Sequence, residues 1–281
     1  MVNLVGRSTI ADEFITWEPQ RKLGSLLEDK NTMLSQRQLQ PEIMDDPSLD
    51  SQAHAAALRG LQRVHRLSGT VGRLWRPIER LITSQRLEQL TVMDVGCGDG
   101  WILRQLWQRA ARRGCRLQLV GCDFSSRALE LCGQACERSA IPISLHTVDV
   151  TQQPLPGPAD VVINSFFLHH FTEAEVLSIL RQMAASTRRL LVIEDLLRSR
   201  LGYALCWVGV HALTRCRVVH VDGLLSVRAA FSAAEIANLL QQSNLASARV
   251  DKRWPERILI TWQPASSPPA QTGESEYAVH A

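Results

Sequence analysis

Apolar residues follow two rhythms along this chain. Between residues 45 and 84 they recur every three to four positions: Ala53, Ala57, Leu58, Leu61, Val64 and Leu67, then Val71, Leu74, Trp75, Ile78, Leu81 and Ile82. That spacing matches the turn of an α-helix and predicts two amphipathic helices, one over 45–68 with Asp50 as N-cap and one over 70–84. From residue 90 the rhythm changes. Short β-type apolar runs alternate with helical stretches, at 90–95, 117–123, 143–150, 159–167, 190–195 and 257–262. Such alternation predicts an α/β domain whose parallel sheet is covered by helices on both faces. Thr172-Glu-Ala-Glu175 and Ser232-Ala-Ala-Glu235 have the pattern of capping boxes that open two of those helices. Residues 1–44 show weak periodicity and are expected to be a partly disordered extension. Residues 264–281, rich in Ser, Pro and Ala, are expected to form a disordered tail.

The first strand carries Asp94 and runs directly into Gly96, Cys97, Gly98, Asp99 and Gly100. Ile102, Leu103, Leu106, Trp107 and Ala110 then mark a helix. Glycine lets backbone approach a ligand closely because no Cβ stands in the way. The spacing is not Gly-x-Gly-x-x-Gly and no Gly-Lys-Ser/Thr follows, which argues against a dinucleotide pyrophosphate or triphosphate cradle. A carboxylate at Asp94 would repel phosphate but welcome a ligand bearing an amino group and hydroxyls. Cys97 occupies a loop position that needs a small side chain.

The run Asp94-Val-Gly-Cys-Gly-Asp-Gly100 resembles the first motif of class I S-adenosylmethionine-dependent methyltransferases, and three further strand ends strengthen the resemblance. It implies a Rossmann-like, seven-stranded, doubly wound sheet spanning 89–263, with an antiparallel last strand beside the fifth. It implies S-adenosylmethionine as cofactor, held at Asp94, Gly96, Cys97, Gly98 and Gly100. Asp123 would accept the ribose hydroxyls and Phe124 would lie on the adenine. Asp149, with Val150 beside it, would accept the adenine amino group, and Asn164 would face the methionine part.

Two regions stand outside that core and are expected to shape the acceptor pocket. One is the helical cap at 45–88. The other is the insertion 196–231, whose stretch Leu201–Leu213 is apolar nearly all round, too short to span a bilayer, and expected to be a buried lid. At its end His220 or Asp222 would orient substrate and Arg228 would pair with a carboxylate or phenolate; in the structural alternative, which we favour, Arg228 and Asp222 pin the lid by pairing with each other. His169 and His170 follow the fourth strand on the side of the transferred methyl group. Either one of them is the base, or both only shape the loop; adjacent residues of an extended segment point opposite ways, so one is expected to face the pocket. His54 and His65, about three turns apart on the first helix, fall near one face and are expected to be packed or exposed rather than catalytic.

Composition narrows the partner. A net charge of +3, without an aromatic-interleaved basic stripe, argues against a nucleic-acid surface. Asn164-Ser-Phe-Phe also lacks the Asn/Asp-Pro-Pro-Tyr/Phe pattern of base-modifying methyltransferases. Seven cysteines without a Cys-x-x-Cys pair suit a reducing cytoplasm. No cluster resembles an acidic metal site, so no Mg²⁺ requirement is expected. The expected partner is a small apolar acceptor of aromatic, quinone or polyketide type, methylated on oxygen rather than carbon. The alternatives are a non-catalytic S-adenosylmethionine-binding subunit and an RNA or protein methyltransferase.

Overall fold

Burial follows the two rhythms. In the computed structural model, which describes residues 34–46 and 48–265, the strands are β1 (Gln89–Val95), β2 (Arg116–Asp123), β3 (Ile143–Thr147), β4 (Ala159–Ser165), β5 (Thr187–Leu196), β6 (Arg249–Arg253) and β7 (Arg257–Trp262). They form one sheet in the order β3-β2-β1-β4-β5-β7-β6. β1 to β5 are parallel, and β7 runs antiparallel between β5 and β6. β4 and β5 are buried along almost their whole length, because helices cover both faces. The order reverses between β1 and β4, which opens a crevice at the carboxyl ends of the strands. The sequence gives little hint of β6: Arg249-Val-Asp-Lys-Arg253 is mostly charged, as suits an exposed edge that must not pair with another chain.

Helix α1 (Ser51–Ser68) starts where Asp50 accepts the Gln52 and Ala53 amides, and it ends at Gly69, whose φ of +79° lets the chain turn at once into α2 (Thr70–Gln85). α3 (Trp101–Ala111) and α4 (Ser126–Glu137) follow β1 and β2. Both expected capping boxes form, opening α5 (Glu173–Ala185) and α8 (Ala233–Gln242). Leu74, Ile78, Leu103 and Leu106 belong to one core cluster; Ile179, Leu180, Leu239 and Leu240 belong to another. Each such side chain contributes about 1.5–3 kcal/mol by leaving water.

The insertion is two helices, α6 (Arg200–Leu213) and α7 (Arg217–Ala229). The expectation of a buried lid holds for one side of α6 only. Gly202, Tyr203 and Val210 are buried, whereas Leu201, Trp207 and Val208 are 51%, 40% and 55% exposed, because α6 packs through one side only. Residues 37–46, without helical rhythm, lie along α7: the Gln38 amide donates to the Arg228 carbonyl at 3.1 Å, and the Ile43 and Met44 amides donate to Asp222 at 2.9 and 3.0 Å. The expectations for residues 1–33 and 266–281 lie outside the described residues. Among those described, no single helix is long and apolar enough to cross a membrane.

Candidate functional site

A cavity of about 960 Å³ occupies the crevice, floored by the ends of β1, β2, β4 and β5 and walled by α1, α6 and α7. Its first half is the glycine loop. Gly96, Gly98 and Gly100 have φ of +77°, +54° and +66°. A Cβ on Gly96 would stand 2.4 Å from the Phe167 ring, and one on Gly100 would stand 2.2 Å from Cys132 Sγ, so both glycines are needed for close packing. Around Gly98 the space is open, and its amide donates to Asp123 Oδ2 at 2.8 Å. Ser125 N–H donates to the other Asp123 oxygen at 2.9 Å, and Gln62 of α1 donates to Asp99.

Asp94 is buried with Oδ1 unpartnered, and burial together with the neighbouring Asp123 charge pushes its carboxyl well above the usual range. Asn164 donates to the Val95 carbonyl at 2.6 Å and keeps a buried, unpartnered Oδ1. Asp149 accepts the Thr151 amide and hydroxyl at 2.9 and 2.6 Å; Val150 is buried and Phe124 exposed beside it on the cavity wall. A hydrogen bond with Cys132 and burial push the Cys97 thiol well up, which suits a structural residue.

The second half is lined by Leu58, Leu61, Val210 and Val219, and its polar groups converge from distant parts of the chain. His169 is buried with Nδ1 2.6 Å from Asp195 Oδ1, while its backbone amide donates to Asp195 Oδ2 at 3.2 Å. A carboxylate only accepts, so Nδ1 carries the proton and Nε2 of the neutral ring is an acceptor. Burial opposes ionisation of Asp195, but the His169 ring and two backbone amides outweigh it and hold the carboxyl below its ordinary value.

Nε2 of His169 and Nδ1 of His170 lie 3.8 and 3.9 Å from one Glu42 oxygen, which also accepts the Ser226 hydroxyl at 2.5 Å. The expectation that the two histidines point apart is therefore overturned: Leu168–His170 is a 3₁₀ turn rather than extended chain, and the rings stand 4.3 Å apart. Glu42, His169 and His170 each offer a ligand atom within 4.8 Å of the others. Two imidazoles and one carboxylate suit a zinc-type ion better than Mg²⁺.

The lid residues divide. Asp222 clasps the Ile43 and Met44 amides, and the guanidinium of Arg228 donates to the Tyr203 hydroxyl at 3.0 Å, so each pins the lid by a different partner and the expected mutual pair does not form. His220 bonds the Thr214 carbonyl at 2.8 Å, stacks on His211 at 4.2 Å and does not line the cavity. His54 is buried and His65 half-buried, and both line it. The His65 ring stands edge-on to Phe166 at 4.5 Å, and burial with the nearby Arg257 and Arg73 charges drives its pKa down to about 3.

Glu42, Asp195, Ser226 and Arg257 were not singled out from the sequence. Asp195, closing an apolar strand at the same edge as His169, carried the one usable signal.

Residues 92–189 match a family model described as a methyltransferase domain. No curated protein matches the chain. Among solved structures, the plantazolicin methyltransferase BpumL in complex with SAH is 14% identical, with a TM-score of 0.56 over 85% of this chain and 96% of that one. The plantazolicin methyltransferase BamL, with a triazolic desmethylPZN analog and SAH, is 16% identical, with a TM-score of 0.52 over 83% and 81%. An O-methyltransferase family 2 protein from Planctomyces limnophilus, in complex with apigenin, is 16% identical with a TM-score of 0.46; the match covers 63% of this chain and about half, 51%, of that one.

Proposed function

We propose that this chain, whose residues 92–189 match a methyltransferase-domain model, is a class I, S-adenosylmethionine-dependent methyltransferase that methylates a small, largely apolar acceptor of aromatic, quinone or polyketide type, on oxygen in preference to carbon, with His169 as the general base. The observation that carries the reading is the 2.6 Å contact between His169 Nδ1 and Asp195, which leaves Nε2 as the acceptor on the cavity side.

The first half of the cavity fits the cofactor. An ammonium group beside Asp94 would satisfy its unpartnered oxygen, the open space at Gly98 would admit the ligand against backbone, and Asp123 would take the ribose hydroxyls. Gly96, Cys97 and Gly100 shape that loop. Asp149 is placed for the adenine amino group, Phe124 and Val150 for its faces, and Asn164 for the methionine part. Bound there, the cofactor supplies an electrophilic methyl group on a sulfonium sulfur.

The second half of the cavity handles the acceptor. Its apolar wall excludes water and aligns the nucleophile, which is most of what an in-line displacement requires. An acceptor hydroxyl would pass its proton to His169 Nε2 as its oxygen bonds the methyl carbon and the carbon–sulfur bond breaks, the bonding pair staying on sulfur to leave a neutral thioether. Asp195 and Glu42 then stabilise the imidazolium, and His170 shapes the same wall. Transfer of a proton to a histidine from a phenolic O–H is easier than from a C–H, which supports oxygen as the acceptor atom. In this reading 45–88 is a cap and 196–231 a lid. All seven cysteines are free, which supports a reducing, cytoplasmic setting.

The test is mass-spectrometric detection of methyl transfer from S-adenosylmethionine to a panel of phenols and hydroquinones, with wild type and His169→Gln. The reading expects O-methyl products and a turnover loss of about 10²–10⁴-fold in the variant. Full turnover in His169→Gln would remove the base.

A further inference from the structure

The polar groups of the second half sit on both faces of β5. Asp195, with His169, lies on one face. On the other, Leu196 stands directly opposite Arg257 of β7, so Arg257 shares a face with Leu196 and Glu194. Arg257 is 8% exposed, lines the cavity, and holds its guanidinium 5.1 Å from the Phe166 ring centre. One terminal nitrogen donates to the Pro255 and Glu256 carbonyls at 3.1 and 3.4 Å, and Nε has no partner.

Charge on this face does not balance. Glu194 is the neighbouring carboxylate, and it is bound to Arg73 at 2.6 Å. Two guanidiniums thus share the one carboxylate of this face, while Asp195 acts on Arg257 only from the opposite face, where it is bound to His169; the neutral His65 adds no further positive charge. Burial of an unpaired charge is costly unless an anion joins it. Burial lowers the Arg257 pKa, but a guanidinium keeps its proton all the same. The remaining unmet need is an oxyanion, presented from the cavity.

We propose that Arg257 anchors a carboxylate on the acceptor, so that the chamber selects phenolic acids over neutral phenols. This rests on the second half of the cavity being the acceptor site. Arg228, which the sequence offered as one candidate for such a role, is bound to Tyr203. With the carboxylate held at Arg257, the phenol ring lies across the carboxyl end of β5 against Leu196 and Phe166, and its hydroxyl is directed to the His169 side. Acceptor charge and acceptor deprotonation are thus handled by separate residues.

The test is calorimetric titration of the full-length protein, loaded with S-adenosylhomocysteine, with 2,4-dihydroxy-6-pentylbenzoate and with the corresponding benzamide. The acid should bind about 10–100-fold more tightly than the amide, as one charge-assisted, desolvated pair implies. In Arg257→Gln the two should bind alike, while in Arg257→Lys part of the preference should return; S-adenosylhomocysteine affinity should match wild type in both, as a check that each is folded. Equal binding of acid and amide to wild type, or an undiminished preference in Arg257→Gln, overturns the anchor and leaves the acceptor site standing. Failure of both compounds to bind wild type overturns the acceptor reading and the anchor together.

Discussion

The two halves of the cavity are assembled in different ways. The first comes from consecutive strand, turn and helix: Asp94, the three glycines and Asp123 lie within 30 positions, held by the hydrogen bond from Gly98 to Asp123. The second draws Glu42 from an extended strap, His169 from a 3₁₀ turn, Asp195 and Arg257 from adjacent strands, and Ser226 from the lid. Local chain geometry builds the one; tertiary packing builds the other. The cofactor half should therefore keep its affinity when acceptor residues are changed, while the acceptor half should depend on the strap and lid that bring it together.

The largest expected effect lies at the seam, on α1. His65 has a folded-state pKa of about 3 against 6.5 for an ordinary histidine. The unfolded chain therefore takes up a proton that the folded chain refuses, and the stability tied to His65 is fully present above pH 6.5 and is lost as pH falls toward 3. That loss should run at about 1.4 kcal/mol per pH unit. Urea midpoints measured across this window should fall less steeply in His65→Leu than in wild type; parallel curves would place His65 in an environment that tolerates its charge.

A smaller effect is expected at the clasp. Asp222→Ala removes two charge-assisted bonds to the Ile43 and Met44 amides, and should cost about 1.5–3 kcal/mol, read as a lower melting temperature. Affinity for S-adenosylmethionine should stay as it was. A fall in cofactor affinity in step with stability would show that the halves are coupled.

The smallest effect is none at all. Chelation with EDTA should leave methyl transfer unchanged, since in the proposed mechanism the imidazole–carboxylate pair is the base. Loss of turnover, restored by Zn²⁺, would recast Glu42, His169 and His170 as a metal site.

The same contrast explains what could be read in advance. Alternating apolar runs and capping boxes revealed the parallel sheet and its helices because periodicity reports burial on each element separately. Gly96, Gly98 and Gly100 were legible because only glycine combines positive φ with room for close contact. β6 was not located, since a charged edge strand shows no alternation. Glu42 was not singled out because its partners lie in other elements: a lone glutamate in an aperiodic stretch says nothing of a histidine far along the chain. Arg257 was not, because the cavity it lines is assembled from distant elements. Asp222 and Arg228 were noticed, yet a sequence cannot say which of several backbone amides or hydroxyls each will meet. Adjacent histidines were misjudged because a 3₁₀ turn, unlike a strand, brings neighbouring rings together.

The most direct test of the two-part cavity is calorimetric titration of wild type, Asp123→Ala and His169→Ala with S-adenosylmethionine, with NAD⁺ as control. The account predicts binding to wild type and none of NAD⁺. It predicts weakening by about 10–100-fold in Asp123→Ala, from the loss of charge-assisted hydrogen bonds, and wild-type affinity in His169→Ala. Unchanged affinity in Asp123→Ala, or its loss in His169→Ala, would contradict the division between a cofactor half set by the glycine turn and an acceptor half built around His169.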